Sequence, residues 1–495
     1  MKTLAQHLAA LPPLVVEAIA RSQGLTPPPT QSAVDWLAAA LLEPEQVQAM
    51  WRQLRPEEQA ALQQLAAEGN LMAAASFQRR WGEVRRLGGG SLQRLRPWQQ
   101  PATIAESLWY RGWIGRGFAE TPAGLVDCFA IPTDLLPLLP LPAPAAAFPL
   151  APAALPDGRG RSDGDAFLDD LATLLIHLHN QTVWAGDTGR WRGKDLAVVI
   201  PQWRTPPADP NRPLAAGSRG ALLFHCLDRL GFVQAQGRRQ RLNREVVRDW
   251  LEEDRCEQRC SLFAAWRTSP DWNDLCLTPG LRCIEGNWRN DPVHTRAALF
   301  AHLRLAPAQV WYGLDDFITA LHSYAPDFQR PDGNYDAWYV RDQAGVHLRG
   351  FEHWQEVEGR LLRYLWQGPL FWLGVTALEA GGAHWQLTPD GAAWLAEDGT
   401  AARPAAPPPP SLVVGEDFRI HLPSGARLSD RFRVARFGEW EATWLGGYRY
   451  RISRRGLRHA AAAGIGPDQV LAFLERASQG ALPANVRRAV AAFQL

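Results

Sequence analysis

The sequence predicts an α+β chain, predominantly helical, arranged as an array of winged-helix modules followed by a small α/β domain. Three observations point there. The chain runs three times through helix, glycine, strand, turn and strand, the order in which a β-hairpin covers the open side of a trihelical core. Two Ala/Pro-rich stretches, at 140–164 and 399–411, have compositions that cannot bury a core. Residues 412–495 read as a complete unit, with short alternating strands followed by three short helices.

The bulk numbers agree. A chain of 495 residues is too long for one core, so three to five domains are expected. With 46% hydrophobic and 21% charged residues it has the balance of a globular protein rather than a disordered one. A net charge of +1 argues against a uniform field for nucleic acid or membrane. Lysine occurs only at Lys2 and Lys194, so nearly all positive charge is arginine, and most of the 22 tryptophans fall at apolar-periodic positions that suit a core. The N-terminal apolar run is broken by Gln6, His7, Pro12, Pro13 and Glu17, unlike a signal peptide. No run of apolar residues is long enough to span a bilayer. Six cysteines without an export signal imply reduced thiols and a cytoplasmic chain.

Residues 1–54 carry four helical periods, at Leu4–Leu11, Leu14–Ala20, Val34–Leu42 and Val47–Leu54, forming a helical cap with TPPPT at 26–30 as a hinge. Residues 55–139 form the first winged helix. Pro56 opens one helix, others run over Met72–Trp81 and Thr103–Gly112, and 113–118 with 125–131 form the hairpin. After the 140–164 linker, residues 165–290 form the second module with a helical connector. Its helices span Phe167–His179, Lys194–Ile200 and Ser218–Leu230. Its wing is GFVQAQGRRQRLN at 231–243, turning at Gly237, and the connector runs from Arg244 through Trp266. The third module, 291–398, has helices at Val293–Leu303, Leu314–Tyr324 and Phe351–Trp366 and a wing tipped by Gly381 and Gly382. AARPAAPPPP is a stiff spacer. In the last domain, Ser453 caps a helix that Gly464 stops, Pro467 opens the next, which Gly480 ends, and Pro483 opens the last.

Chemistry-bearing motifs are few. Gly189, Gly193 and Lys194 are misspaced for a phosphate loop, and Asp195 stands where Ser or Thr should hold magnesium. A helix start at Asp195 is the better reading. Cys256, Cys260, Cys276 and Cys283 lack the tight paired knuckles of a zinc site; core packing is favoured over a metal or redox role. Asp332, Asn334 and Asp336 start like a calcium loop, but Ala337 and Gln343 occupy its glycine and glutamate positions, which favours a simple turn. The histidines are scattered, and no nucleophile elbow is present. No catalytic residue, cofactor or metal is therefore assigned.

Arginine clusters remain. Arg79, Arg80, Arg85 and Arg86 lie in and after the second helix of the first module, with Arg94 and Arg96 beyond. Arg238, Arg239 and Arg241 sit on the second wing. Nine arginines between Arg427 and Arg458, including Arg451, Arg454, Arg455 and Arg458, face only Asp430, Glu439 and Glu441. Guanidinium groups suit phosphates, so these clusters are candidate DNA contacts, the wing foremost because its tip projects. The alternative is a solvated surface in a lysine-poor protein.

LVVGEDFRI, YRYRISRRGLRHA, GIGPDQVLAFLERASQG and LPANVRRAV together resemble the N-terminal domain of XPB-type helicases. There, two ATPase lobes follow; here the chain ends. QRPDGNYDAWYVRD and GFEHWQEVEGRLLRYLWQGPLFWLG resemble bacterial helicase-associated proteins carrying an XPB-like N-terminal domain. Arrayed winged helices ending in such a domain are similar to the TFIIH subunit that anchors XPB. The resemblance implies a monomeric, non-catalytic DNA-associated adaptor. Its C-terminal domain would dock a helicase or other nucleic-acid enzyme, and the chain would contact DNA weakly. The alternative is a winged-helix transcriptional regulator, which would bind one preferred site, usually as a symmetric dimer.

Overall fold

The structure is a computed structural model that describes residues 2–493 except 27–31, 122–123, 142–147, 155–159, 187–190, 285, 287, 397–407 and 445. Most of the expected hinge at 26–30 and most of the polyproline spacer lie outside the described residues. The fold is mixed α+β, with 48% helix against 14% strand, and its five small sheets are built from antiparallel pairs.

One topology occurs three times. In the first unit a two-residue strand, Met72–Ala73, pairs with the second strand of the hairpin Gly115–Thr121 and Gly124–Ala130. In the second, Val183–Trp184 does the same for Val233–Gln236 and Arg239–Leu242. In the third, Tyr312–Gly313 joins the hairpin Thr376–Leu378 and His384–Leu387. Each time the short strand follows a helix and the second hairpin strand lies central. The hairpins were legible from turn glycines; Gly237 and Gly382 do take positive φ, +60° and +73°. The two-residue strands were not, because only tertiary pairing makes so short a segment a strand.

Burial redraws the domain boundaries. The expected cap and first module share one core, in which Leu8, Val15, Leu41 and Val47 join Leu62, Leu108 and Phe129. The second and third modules likewise share a single core, built on the fully buried Trp266, Trp354, Trp366 and Trp385. The 140–164 stretch was expected to stay clear of any core. Instead Phe148 packs against Phe317 at 5.3 Å, Ala153 N–H donates to Trp311 O at 2.7 Å, and Arg161 exchanges backbone bonds with Leu378. One aromatic side chain inside an Ala/Pro run anchors it, where composition alone predicts a tether.

The C-terminal unit carries a four-stranded sheet in the order Val413–Val414, Arg419–Pro423, Gly447–Ile452, Gly438–Trp444. The three expected helices follow, Arg454–Ala462, Pro467–Ala477 and Ala484–Ala491. Ser453 Oγ accepts from Gly456 N–H at 3.0 Å as the cap. The helix Leu428–Val434 is an addition to the sequence reading, and it matters most.

That helix is held against Gly164–Asn180, the helix on which the molecule turns. Thirteen residues of Gly164–Asn180 are buried, including Asp169 and Asp170. A carboxylate there survives only with charged partners. Arg204 Nη1 meets Asp169 Oδ2 at 2.7 Å, and Arg204 N–H donates to Asp170 Oδ1 at 2.6 Å. Arg219 pairs with Asp163 at 2.5 Å and Asp170 at 2.7 Å. Arg255 Nη1 meets Asp169 Oδ1 at 2.9 Å and also donates to Ala426 O at 3.1 Å. Arg431, from the Leu428–Val434 helix, is buried; it donates to Asp169 O and Thr173 Oγ1, each at 2.6 Å, with its guanidinium 3.4 Å from the Tyr448 ring centroid. The C-terminal unit is therefore docked on the second unit, not merely tethered, and Arg431 leaves the basic surface where the sequence placed it.

Desolvation works against an ionised Asp170, while Arg219 and the Arg204 N–H offset it. Arg219→Ala leaves the buried Asp163 and Asp170 without the cation they share, and the expected loss is about 3–5 kcal/mol of unfolding free energy. Chemical denaturation followed by circular dichroism measures it; a loss below about 1 kcal/mol, the scale of a surface pair, would show that the cluster does not hold the fold.

Candidate nucleic-acid interface

The structure divides the candidate arginines into those engaged inside the protein and those that face solvent. Arg79 is engaged. It forms a two-pronged pair with Asp327 at 2.6 and 2.8 Å, donates to Gly333 O at 3.2 Å, and lies over the Phe351 ring at 4.4 Å. It clamps the first unit to the third and is corrected out of the DNA-contact set. Arg85 is corrected likewise: its Nε and Nη2 each meet a carboxylate oxygen of the buried Glu106 at 2.7 Å. Arg451 shares Glu441 with Arg419 and Arg449, so three guanidiniums converge on one carboxylate. In each case the acid comes from another segment, a turn for Asp327, a helix for Glu106 and the paired strand for Glu441, which local sequence does not reveal.

Arg80 and Arg86 are exposed, with Arg80 5.4 Å from the Trp81 ring. Arg454 and Arg458 are exposed on the first of the last three helices, and Arg455 lies 3.7 Å from Glu439. These are scattered single charges.

The second hairpin differs. Directly paired residues of an antiparallel ladder project from one face of the sheet, and so do residues two apart. Arg239 pairs with Trp184 on one side and Gln236 on the other, while Arg241 pairs with Gln234. One face thus carries Trp184, Gln234, Gln236, Arg239 and Arg241. The opposite face carries Val183, Val233, Gln240 and Leu242. Val183 and Leu242 are buried there, and Gln240 accepts from Trp191 Nε1 at 2.7 Å. The polar face looks outward. Gln234, Gln236 and Arg241 are exposed, Trp184 is 40% exposed, and Arg239 is half-buried with Nη2 on Thr182 Oγ1 at 3.3 Å. Among the described residues neither Arg239 nor Arg241 has an ion pair. Arg238 sits exposed in the turn, and its carbonyl accepts from Ala185 N–H at 2.8 Å.

The field continues past the hairpin. Arg244, exposed at the start of the helix Arg244–Glu252, acts on two groups at the docking seam, His179 on its own side and Arg436 on the other. Burial, reinforced by Arg436 and Arg244, pushes the His179 imidazole down to about 4. Burial, Arg244 and Arg433 together lower the proton affinity of Arg436. Among the described residues His179 Nδ1 and Arg436 Nε are shut off from solvent without a hydrogen-bond partner. Asn180 Nδ2 donates to Ala435 O at 2.9 Å, which seats this end of the C-terminal unit beside the hairpin. Docking therefore brings Arg436 of the C-terminal basic run close to Arg244, two residues past the hairpin, whereas Arg454–Arg458 take no part in that junction.

The sequence reading missed Trp184, because a tryptophan just after a helix looks like core. Only the register of its two-residue strand puts it outside. The other motifs resolve structurally. Asp195 Oδ1 lies 3.0 Å from His177 Nε2, and Lys194 is in the helix Gly193–Val199; Gly189 lies outside the described residues. Asp332 and Asn334 accept from the backbone N–H two residues on, at 3.1 and 2.9 Å, which is the turn reading. Cys276 and Cys283 form a disulfide, which corrects the expectation of six reduced thiols; the turn at Gly280, φ +89°, brings their Cα atoms to 5.2 Å. Cys256 Sγ lies 3.4 Å from Asp390 Oδ1. Among the described residues no group of three or more His, Cys, Asp or Glu could hold a metal ion, and no helix is long and apolar enough to cross a membrane.

No protein-family model matches this chain, and no curated protein does.

Arg85→Ala separates the two classes of arginine. Unfolding free energy falls by about 2 kcal/mol, below the full penalty for stranding a buried carboxylate because Arg85 is itself partly exposed. Affinity for DNA stays unchanged in an anisotropy titration. Lost affinity with unchanged stability would return the 79–86 cluster to the interface.

Proposed function

We propose that this chain is a monomeric, non-catalytic nucleic-acid-associated adaptor that contacts DNA weakly and brings a helicase or other nucleic-acid enzyme to it. One observation carries the reading: the outward face of the second sheet places Arg239 and Arg241 beside exposed glutamines and a tryptophan, with Arg244 extending the positive surface. Guanidiniums without internal acids are the groups left to meet phosphates.

We read the three recurring units as winged helices. The shared order of short strand, second hairpin strand and first hairpin strand supports that reading, as does the spacing of helices before each hairpin. The second wing is then the DNA-facing one. The C-terminal unit, read as XPB-N-terminal-like, holds the array with the Leu428–Val434 side. Its last three helices enclose a cleft of about 330 Å³ lined by Leu457, Ala461, Ile465, Pro467, Val470 and Phe493. That apolar cleft supports docking of the partner enzyme.

Three phosphate contacts release about three counterions, so log K for duplex DNA should fall against log salt with a slope of about −2.7. The double variant Arg239→Ala/Arg241→Ala should retain a slope of about −0.9. Fluorescence anisotropy across a salt series reads both. Salt-independent binding, or an unchanged slope in the double variant, contradicts the assignment.

A further inference from the structure

We propose that the outward face of the second sheet is built for unpaired bases: Trp184 is a stacking platform for a base of single-stranded nucleic acid whose phosphates lie on Arg239 and Arg241. This deepens the nucleic-acid reading above and rests on it.

The strand of Arg239 and Arg241 lies central in its sheet, so Trp184 and Gln236 flank Arg239 from either side. Neighbouring strands are about 5 Å apart and same-face residues about 7 Å apart along a strand. An indole, two guanidiniums and two amides therefore share a patch the size of a few nucleotides. Ring stacking with charge tracking the backbone is how proteins hold single strands without reading a duplex groove. Gln234 and Gln236 add donors and acceptors that reach the edges of splayed bases.

An exposed indole leaves apolar surface in water, an unfavourable contact that burial in a core ordinarily removes. Trp266, Trp354, Trp366 and Trp385 are all fully buried. Trp184 remains 40% exposed although its strand neighbour Val183 is wholly buried. A base in a duplex already has both faces stacked, so a flat ring on the surface gains a partner only from an unpaired strand.

The other hairpins lack the combination. Phe118 and Leu125, 72% and 73% exposed, tip the first hairpin, but the same face carries Glu120 and Asp127, and Arg116 there is paired with Asp127. The third hairpin turns its tryptophan, Trp385, fully inward. Trp444 is 41% exposed and its partner Gly447 shares a face with Arg449 and Arg451, but both of those arginines pair with Glu441 and the Trp444 ring lies against His421. Among the described residues only the second hairpin joins an outward ring to arginines without carboxylates on the same face.

The test uses the full chain with three labelled nucleic-acid probes, oligothymidylate, an abasic strand of equal length and a duplex, and with a polyglutamate peptide as competitor. Wild type binds oligothymidylate more tightly than the abasic strand. Trp184→Ala weakens oligothymidylate binding about 5- to 100-fold, leaves the abasic strand and duplex unchanged, and Trp184→Phe restores most of the loss. Equal losses on oligothymidylate and the abasic strand, or no loss at all, overturn the stacking assignment while leaving the charge-based reading intact. A chain that binds none of the three nucleic-acid probes removes the underlying reading. Tighter capture of a polyglutamate peptide than of oligothymidylate assigns the face to an acidic protein segment and overturns the proposal. Unchanged circular dichroism in both variants confirms that the fold is intact.

Discussion

Three aspartates at the start of one buried helix set the terms for most of this molecule. Asp163, Asp169 and Asp170 cannot remain ionised in an apolar interior without cations beside them. Arg204, Arg219 and Arg255 come from three different segments to supply them. Arg431 adds the C-terminal unit by binding the backbone of the same turn. Arginine suits the task because its planar fork donates to several acceptors at once and it is weakly hydrated. A cluster of this kind contributes little net stability over an apolar core of equal volume, but it admits one register. It fixes where the C-terminal unit sits.

The scarcity of lysine takes on meaning from that. Cation–carboxylate pairs recur at Arg296 with Asp274 and at Arg330 with Glu358, both buried. Arginine count is therefore a poor guide to surface charge in this chain. Runs that look basic in one dimension are partly neutralised in three, as Arg79, Arg85 and Arg451 show. What remains outward is a smaller set centred on the second hairpin. It lies next to the docking seam, so the contacts that orient the C-terminal unit also place Arg436 beside Arg244.

Local signals were legible in the sequence. Caps, turn glycines and the three hairpins follow from rules that act within a few residues, and Ser453 and Gly237 occupy the expected places. The recurrence of helix and hairpin was legible for the same reason. Features set by distant partners were not. The two-residue strands exist only as additions to a hairpin many residues away. Phe148 turns a presumed linker into part of a core. The cap and first module merged, as did the second and third, because apolar periodicity reports that a face is buried without reporting against what. The candidate site followed the same division: Arg239 and Arg241 stood out from composition and turn position, whereas Trp184 needed the register.

The account reduces to a contrast between arginines that hold the protein together and a few that, with Trp184, are left to meet a ligand. Photocrosslinking of the intact chain to an oligothymidylate carrying photoreactive bases, with the attached residues located by peptide mass spectrometry, tests that contrast most directly. Adducts confined to residues 182–184 and 233–244 are the predicted result. Adducts on residues 79–96, or none anywhere under low salt, would contradict it.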